Sequence, residues 1–162
     1  MKKWQVAAIA IAAVVVIAGK QYYRTATPGD LAWILAPTAH ALTALGCGHF
    51  VFDSSAGWVD ASLGFAIAPA CAGLHFALAA FLALVIGTLR SISDWKSLVS
   101  RLAAAVAIAY AATLVVNTLR IAIALAMRRP DLHQMEGTLV YLGGLVLVYA
   151  LARRHHHELA RS

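Results

Sequence analysis

The sequence predicts an all-α integral membrane protein, a compact bundle of about four transmembrane helices. Of its 162 residues, 62% are hydrophobic and 12% are charged, and the mean hydropathy is +0.77. A soluble domain needs more polar surface than this composition provides. Four apolar stretches are long enough to cross a hydrocarbon core about 30 Å thick, at about 1.5 Å per helical residue. These stretches are residues 4–23, 70–89, 102–127 and 134–152, within a single domain over residues 1–162.

The first span, residues 4–23, contains one charge, Lys20. Its long stem can carry the ammonium group to the interface, where Tyr22 and Tyr23 are also expected. A cleaved signal peptide is the alternative, because Lys2 and Lys3 precede the apolar core and Val16-Ile17-Ala18 is compatible with cleavage.

The loop at residues 24–69 is expected to cover the outer face of the bundle. Residues 27–30 have the composition of a turn and helix start, and residues 31–45 show near-helical apolar spacing interrupted by Pro37. This spacing predicts an amphipathic or re-entrant segment. A short hairpin is predicted from residues 49–53 and 58–61, which flank a Ser-Ser-Ala-Gly turn.

The distribution of basic residues predicts the orientation. The net charge is +6, but Lys and Arg stand at the ends of apolar runs, so we expect membrane lipid and no nucleic acid as a partner. With both termini cytoplasmic, eight basic residues lie inside and four outside, as the positive-inside rule prefers. This predicts a multi-pass protein of the cytoplasmic (inner) membrane. The inner set is Lys2, Lys3, Arg90, Lys96, Arg101, Arg153, Arg154 and Arg161, and the outer set is Lys20, Arg24, Arg128 and Arg129.

Arg120 is the only charge within residues 102–127, and Asn117 precedes it by one helical turn. An ionisable group inside a bilayer costs at least about 2.5 to 3.5 kcal/mol, so it normally faces a bundle interior or a wet cavity. A permanently cationic donor suits a developing oxyanion in a dry site, and Asn117 could hold it or orient a catalytic histidine. The alternative is a structural arginine paired with Asp131 or Glu136.

Cys71 follows Pro69 at the start of the second span. Pro69 suits the first helical turn, and the unsatisfied backbone donors of a helix N-terminus favour the nucleophilic thiolate. Small neighbours, among them Gly73, leave room for a peptide. An inert buried cysteine is the alternative.

His133 stands in the predicted outer loop before the fourth span. A neutral imidazole there can take a proton from a thiol and return it to a leaving amine. A solvated loop histidine is the alternative. A rival base is His75, four residues after Cys71 and on the same face of a continuous helix, but deeper in the membrane.

Three motifs, in this order and on one predicted membrane face, resemble the Cys, Arg and His motifs of exosortases and archaeosortases. The resemblance covers about residues 69–145, and the short chain is similar to the exosortase K type. The motifs are Ala70-Cys71-Ala72-Gly73, Asn117-Thr118-Leu119-Arg120-Ile121 and His133-Gln134-Met135-Glu136-Gly137.

The resemblance implies a membrane cysteine transpeptidase whose partner is an exported protein with a C-terminal sorting signal. Such a signal has a short motif such as Pro-Glu-Pro, a transmembrane helix and a basic tail. It implies Cys71 as nucleophile, His133 as acid/base and Arg120 as third catalytic residue, with Asn117, Gly73 and Gly137 in support. Two departures from longer members are the four predicted spans, where they have about eight, and Ala72, where serine is frequent.

Two other classes of function remain open. A thiol and quinone redox protein could use a disulfide between Cys47 and Cys71, although no Cys-x-x-Cys pair is present. A non-catalytic membrane module predicts that Cys71, Arg120 and His133 do not cluster. We expect no cofactor and no metal, and we interpret the His-rich tail at residues 155–157 as a solvated anchor.

Overall fold

The computed structural model describes residues 3–127 and 139–150, and within them the chain is mostly helical. Among these described residues, three segments are long and apolar enough to cross a membrane, and one apolar helix is shorter, which confirms the predicted fold class. The three segments are Lys3–Thr25, Pro69–Ser91 and Trp95–Met127. The helices are α1 (Lys3–Thr25), α2 (Ala32–Ala44), α3 (Leu74–Thr88), α4 (Trp95–Met127) and α5 (Leu139–Ala150).

The chain divides into two compact units. The first comprises Met1–Gln21, Leu74–Thr113 and Leu142–Ser162, and the second comprises Tyr22–Gly73 and Leu114–Tyr141. Of the predicted fourth span, residues 139–150 form α5, and residues 134–138, 151 and 152 lie outside the described residues.

The first unit is built by helices that approach closely through small residues. A Cβ atom added to Gly19 of α1 would lie 2.8 Å from the Leu78 side chain of α3, so glycine permits this approach. The Gln5 side chain donates a hydrogen bond of 3.3 Å to the Leu89 carbonyl. The Trp4 and Trp95 rings lie 5.9 Å apart, the kind of aromatic pairing expected where helices meet a membrane interface.

Helix α4 begins at Trp95, seven residues before the predicted start of the third span. Its start is fixed by reciprocal capping, because the Ser97 amide donates to Asp94 Oδ1 at 2.9 Å and the Asp94 amide donates to Ser97 Oγ at 3.1 Å. At 33 residues the helix is about 50 Å long, more than a hydrocarbon core requires. Hydropathy therefore located the apolar part of α4 and missed its polar first turns.

The second unit contains α2 and a three-stranded antiparallel sheet in the order β1-β2-β3. Helix α2 continues through Pro37, so the predicted interruption is wrong. It buries five side chains, and the His40 ring meets the Trp58 ring of the sheet at 5.1 Å. Burial on α2 therefore holds the helix together despite the hydrogen bond that proline cannot make.

The predicted hairpin is present, and a third strand extends it. Strands β1 (Val51–Asp53) and β2 (Gly57–Asp60) pair with Phe52 opposite Trp58. Strand β3 (Phe65–Ile67) pairs with β2. Because β3 ends two residues before Pro69, the sheet leads the chain directly into the turn that carries Cys71.

Candidate active site

Cys71 ends a single 3₁₀ turn, Pro69–Cys71, and does not lie in the first turn of an α-helix as predicted. Its amide donates to the Ala68 carbonyl at 2.8 Å, and the Ala72 amide donates to the Pro69 carbonyl at 2.9 Å. These donors are satisfied within the turn, so the predicted activation of the thiol by free helix N-terminal amides is not supported. The half-buried thiol is free.

Gly73 separates this turn from α3. Its φ angle is +69°, in the left-handed region that glycine adopts without steric cost, and α3 begins at the next residue. Because the helix is interrupted there, Cys71 and His75 do not share one face of a continuous helix. The predicted register between them is therefore wrong.

Asn117 of α4 holds the cysteine turn through the main chain. Its side chain is fully buried, with 0% exposed, and its Nδ2 donates a hydrogen bond of 2.6 Å to the Cys71 carbonyl. Its Oδ1 accepts a hydrogen bond of 2.9 Å from the Tyr141 hydroxyl. Two half-buried polar groups from distant parts of the chain are thus satisfied by one carboxamide.

Arg120 reaches the same cluster through Tyr141. Its Nη1 donates to the Tyr141 hydroxyl at 3.0 Å, and its Cζ lies 5.1 Å from the centroid of that ring. Asn117, expected to hold Arg120, is therefore linked to it through Tyr141.

No described carboxylate neutralises Arg120. Residues 3–127 and 139–150 contain four carboxylates, and each accepts hydrogen bonds from groups other than Arg120. Arg120 Nε is buried and has no hydrogen-bond partner within the described part of the chain. An unsatisfied buried donor is costly, so this cation can accommodate an acceptor that the described residues do not provide. The four carboxylates are Asp30, Asp53, Asp60 and Asp94.

Gly73 also makes room for this network. A Cβ atom at position 73 would lie 3.2 Å from Asn117 Cγ and 3.2 Å from the Tyr141 hydroxyl. Glycine at position 73 therefore leaves space for the side chains of Asn117 and Tyr141. In the same turn, the Tyr23 hydroxyl donates to the Pro69 carbonyl at 3.0 Å.

The second unit thus brings together four of the residues singled out from the sequence: Cys71, Gly73, Asn117 and Arg120. His133 and Gly137 lie outside the described residues, as do Asp131 and Glu136, the acids proposed as structural partners of Arg120. Cys47 is a free thiol, and its Sγ lies 3.9 Å from the Leu45 carbonyl.

The structure adds Tyr141, which sequence analysis did not select. A tyrosine in an apolar stretch is a weak signal by itself, because interfacial tyrosines are common. The stronger signal is that a buried phenol normally has a hydrogen-bond partner, and Asn117 and Arg120 were the polar groups already expected inside the bundle.

Within residues 3–127 and 139–150, no group of three or more His, Cys, Asp or Glu side chains could hold a metal ion. No protein-family model, no curated protein and no solved structure matches the chain. The resemblance to exosortases and archaeosortases therefore rests on the motif residues themselves.

Proposed function

We propose that the chain is a membrane-embedded cysteine peptidase or transpeptidase of the exosortase type. Its substrates are exported proteins with a C-terminal sorting signal, and it cleaves them at the outer face of the cytoplasmic membrane. Cys71 is the nucleophile, Arg120 stabilises the oxyanion and His133 is the acid/base.

One observation carries this proposal: Cys71 and Arg120 belong to one hydrogen-bonded cluster. The connection runs from Arg120 through the Tyr141 hydroxyl and the Asn117 carboxamide to the Cys71 carbonyl. A non-catalytic module gives no reason for the turn that carries a free thiol to be hydrogen-bonded, through Asn117 and Tyr141, to a cation without a described acidic partner. The role of His133 is supported by the motif resemblance alone.

The chemistry begins when a sulfur lone pair of Cys71 attacks the scissile carbonyl carbon. The thiol proton passes to the imidazole of His133, and the negative charge that develops on the carbonyl oxygen is stabilised by Arg120. The C–N bond then breaks, and the imidazolium gives its proton to the amine of the departing signal helix. A thioester joins the exported protein to Cys71.

The second half of the reaction restores the thiol. Water or an amine attacks the thioester carbonyl, the nucleophile loses its proton to the histidine, and the C–S bond breaks. The thiolate recovers that proton. Water gives hydrolysis, and an amine gives transpeptidation.

The proposal is tested by expressing the chain with an exported reporter that ends in a Pro-Glu-Pro motif, a transmembrane helix and a basic tail. The host must lack an exosortase, and processing is measured as the loss of the tail. We expect the reporter to be cleaved by the unmodified chain and to accumulate uncleaved with Cys71→Ala or His133→Ala. Cleavage of the reporter by Cys71→Ala at the rate of the unmodified chain would refute the assignment of Cys71 as the nucleophile.

Replacement of Cys47 by serine is the matched control. The peptidase does not use this thiol, so Cys47→Ser should process the reporter normally. A redox protein that cycles a disulfide between Cys47 and Cys71 would instead lose its function with either single replacement.

A further inference from the structure

We infer that Tyr141 is a positioning residue of this site, which orients the Arg120 guanidinium toward the reacting carbonyl. The inference rests on the proposed function and adds a residue that neither the sequence motifs nor the resemblance identifies. Its basis is the place of the phenol between two polar side chains of α4, Asn117 and Arg120.

Among the described residues, the Tyr141 hydroxyl makes two hydrogen bonds of opposite sense. It accepts from Arg120 Nη1 at 3.0 Å and donates to Asn117 Oδ1 at 2.9 Å. A phenol can do both at once, because it has one donor and acceptor lone pairs. Asn117 is fixed in turn by its 2.6 Å bond to the Cys71 carbonyl. These hydrogen bonds fix the position of the Arg120 guanidinium relative to the main chain of Cys71.

The ring of Tyr141 restrains Arg120 in a second way. The guanidinium carbon lies 5.1 Å from the ring centroid, within the range of a cation–π contact. A hydrogen bond at one nitrogen and a ring in contact with the guanidinium together limit the rotation of a long side chain. Arg120 Nε is left without a described partner and can donate to a substrate oxygen.

Positioning matters because an oxyanion donor acts only at the correct distance and angle. Loss of such a donor costs about 10²- to 10³-fold in kcat, and a donor that is merely less well held should cost less. We therefore expect Tyr141→Phe, which keeps the ring and loses the hydroxyl, to lower kcat about tenfold. KM should stay within about twofold, because ground-state binding is not removed.

The experiment measures kcat and KM for the reporter with the unmodified chain, Cys71→Ala, Tyr141→Phe and Tyr149→Phe. Tyr149 is the matched control, because it lies on the same helix and its side chain is 40% exposed. Alkylation of Cys71 by a small maleimide, in the Cys47→Ser background, reports whether the cysteine turn itself is intact.

Incorporation of 4-fluorophenylalanine at position 141 separates positioning from packing and provides a second variant should Tyr141→Phe not fold. Fluorine occupies much of the volume of the hydroxyl but donates no hydrogen bond. A positioning role predicts that kcat stays about tenfold low with unchanged alkylation. A packing role predicts recovery of kcat, and that result overturns the inference.

The outcomes distinguish this inference from the proposed function. If the unmodified chain and Cys71→Ala process the reporter equally, the proposed function is wrong and the role of Tyr141 with it. If Cys71→Ala is inactive and Tyr141→Phe keeps the unmodified kcat, only the role of Tyr141 is wrong. A raised KM or faster alkylation in Tyr141→Phe also overturns it, because either shows that the site has loosened.

Discussion

Replacement of Gly73 by alanine tests how closely the cysteine turn fits the polar cluster. The residue has a φ of +69°, and an added Cβ would lie 3.2 Å from Asn117 Cγ and from the Tyr141 hydroxyl. These atoms belong to the side chains that hold the Cys71 carbonyl and Arg120. The substitution therefore acts on the backbone and on the network together.

The expected cost has two parts. The left-handed backbone conformation costs a residue with a Cβ atom about 1 to 2 kcal/mol. Displacing Asn117 or Tyr141 by a few tenths of an ångström weakens hydrogen bonds that are each worth about 1 kcal/mol. We expect Gly73→Ala to lower the free energy of unfolding by about 2 to 3 kcal/mol and to reduce reporter processing.

Gly46→Ala measures the cost of the left-handed backbone conformation alone. Gly46 has a φ of +73°, and nothing lies within 4 Å of the Cβ it would acquire. Reversible unfolding of both variants in mixed micelles should show Gly46→Ala losing only the backbone term, about 1 to 2 kcal/mol. Equal losses in the two variants, together with normal processing by Gly73→Ala, would show that the fit around the cluster has no consequence.

Two further perturbations probe the second unit. Asn117→Ala leaves the Cys71 carbonyl and the Tyr141 hydroxyl without their shared partner, so unfolding in micelles should become about 1 to 3 kcal/mol easier. Val115→Ala, at a side chain 69% exposed, should change this free energy by less than about 0.5 kcal/mol, and an equal loss would contradict the argument. Hydrogen bonds, first from Ser62 and then from the His49 amide, lower the pKa of Asp60 from 3.8 to about 2. The stability that Asp60 contributes is therefore complete above pH 3.8 and is lost as the pH falls toward 2. Asp60→Asn should make the acid unfolding curve shallower over that range, and an unchanged slope would exclude this role.

Helix positions could be predicted from the sequence because nearly every residue of a membrane-spanning run is apolar. The first span was expected at residues 4–23 and forms Lys3–Thr25. The start of α4 was missed because it depends on a local polar pair, Asp94 and Ser97, outside the apolar run. The third strand was missed because a three-residue strand at 65–67 is too short for an alternating pattern to be recognised.

Individual residues of the site could be predicted from the sequence, but the contacts between them could not. Arg120 and Asn117 stood out because polar groups in an apolar span need partners. The partner Tyr141 is 24 residues from Asn117, and no periodicity of the sequence reports a contact at that separation. The break at Gly73 was missed because the sequence does not show whether a glycine adopts a helical or a left-handed backbone conformation.

The Asn117 side chain donates its hydrogen bond to the main-chain oxygen of Cys71 and not to the sulfur. A variant that lacks the thiol should consequently keep the same turn and the same arginine orientation. Under the proposed function, Cys71→Ala is thus suited to retain an uncleaved substrate protein, which could then be isolated by cross-linking and identified by mass spectrometry.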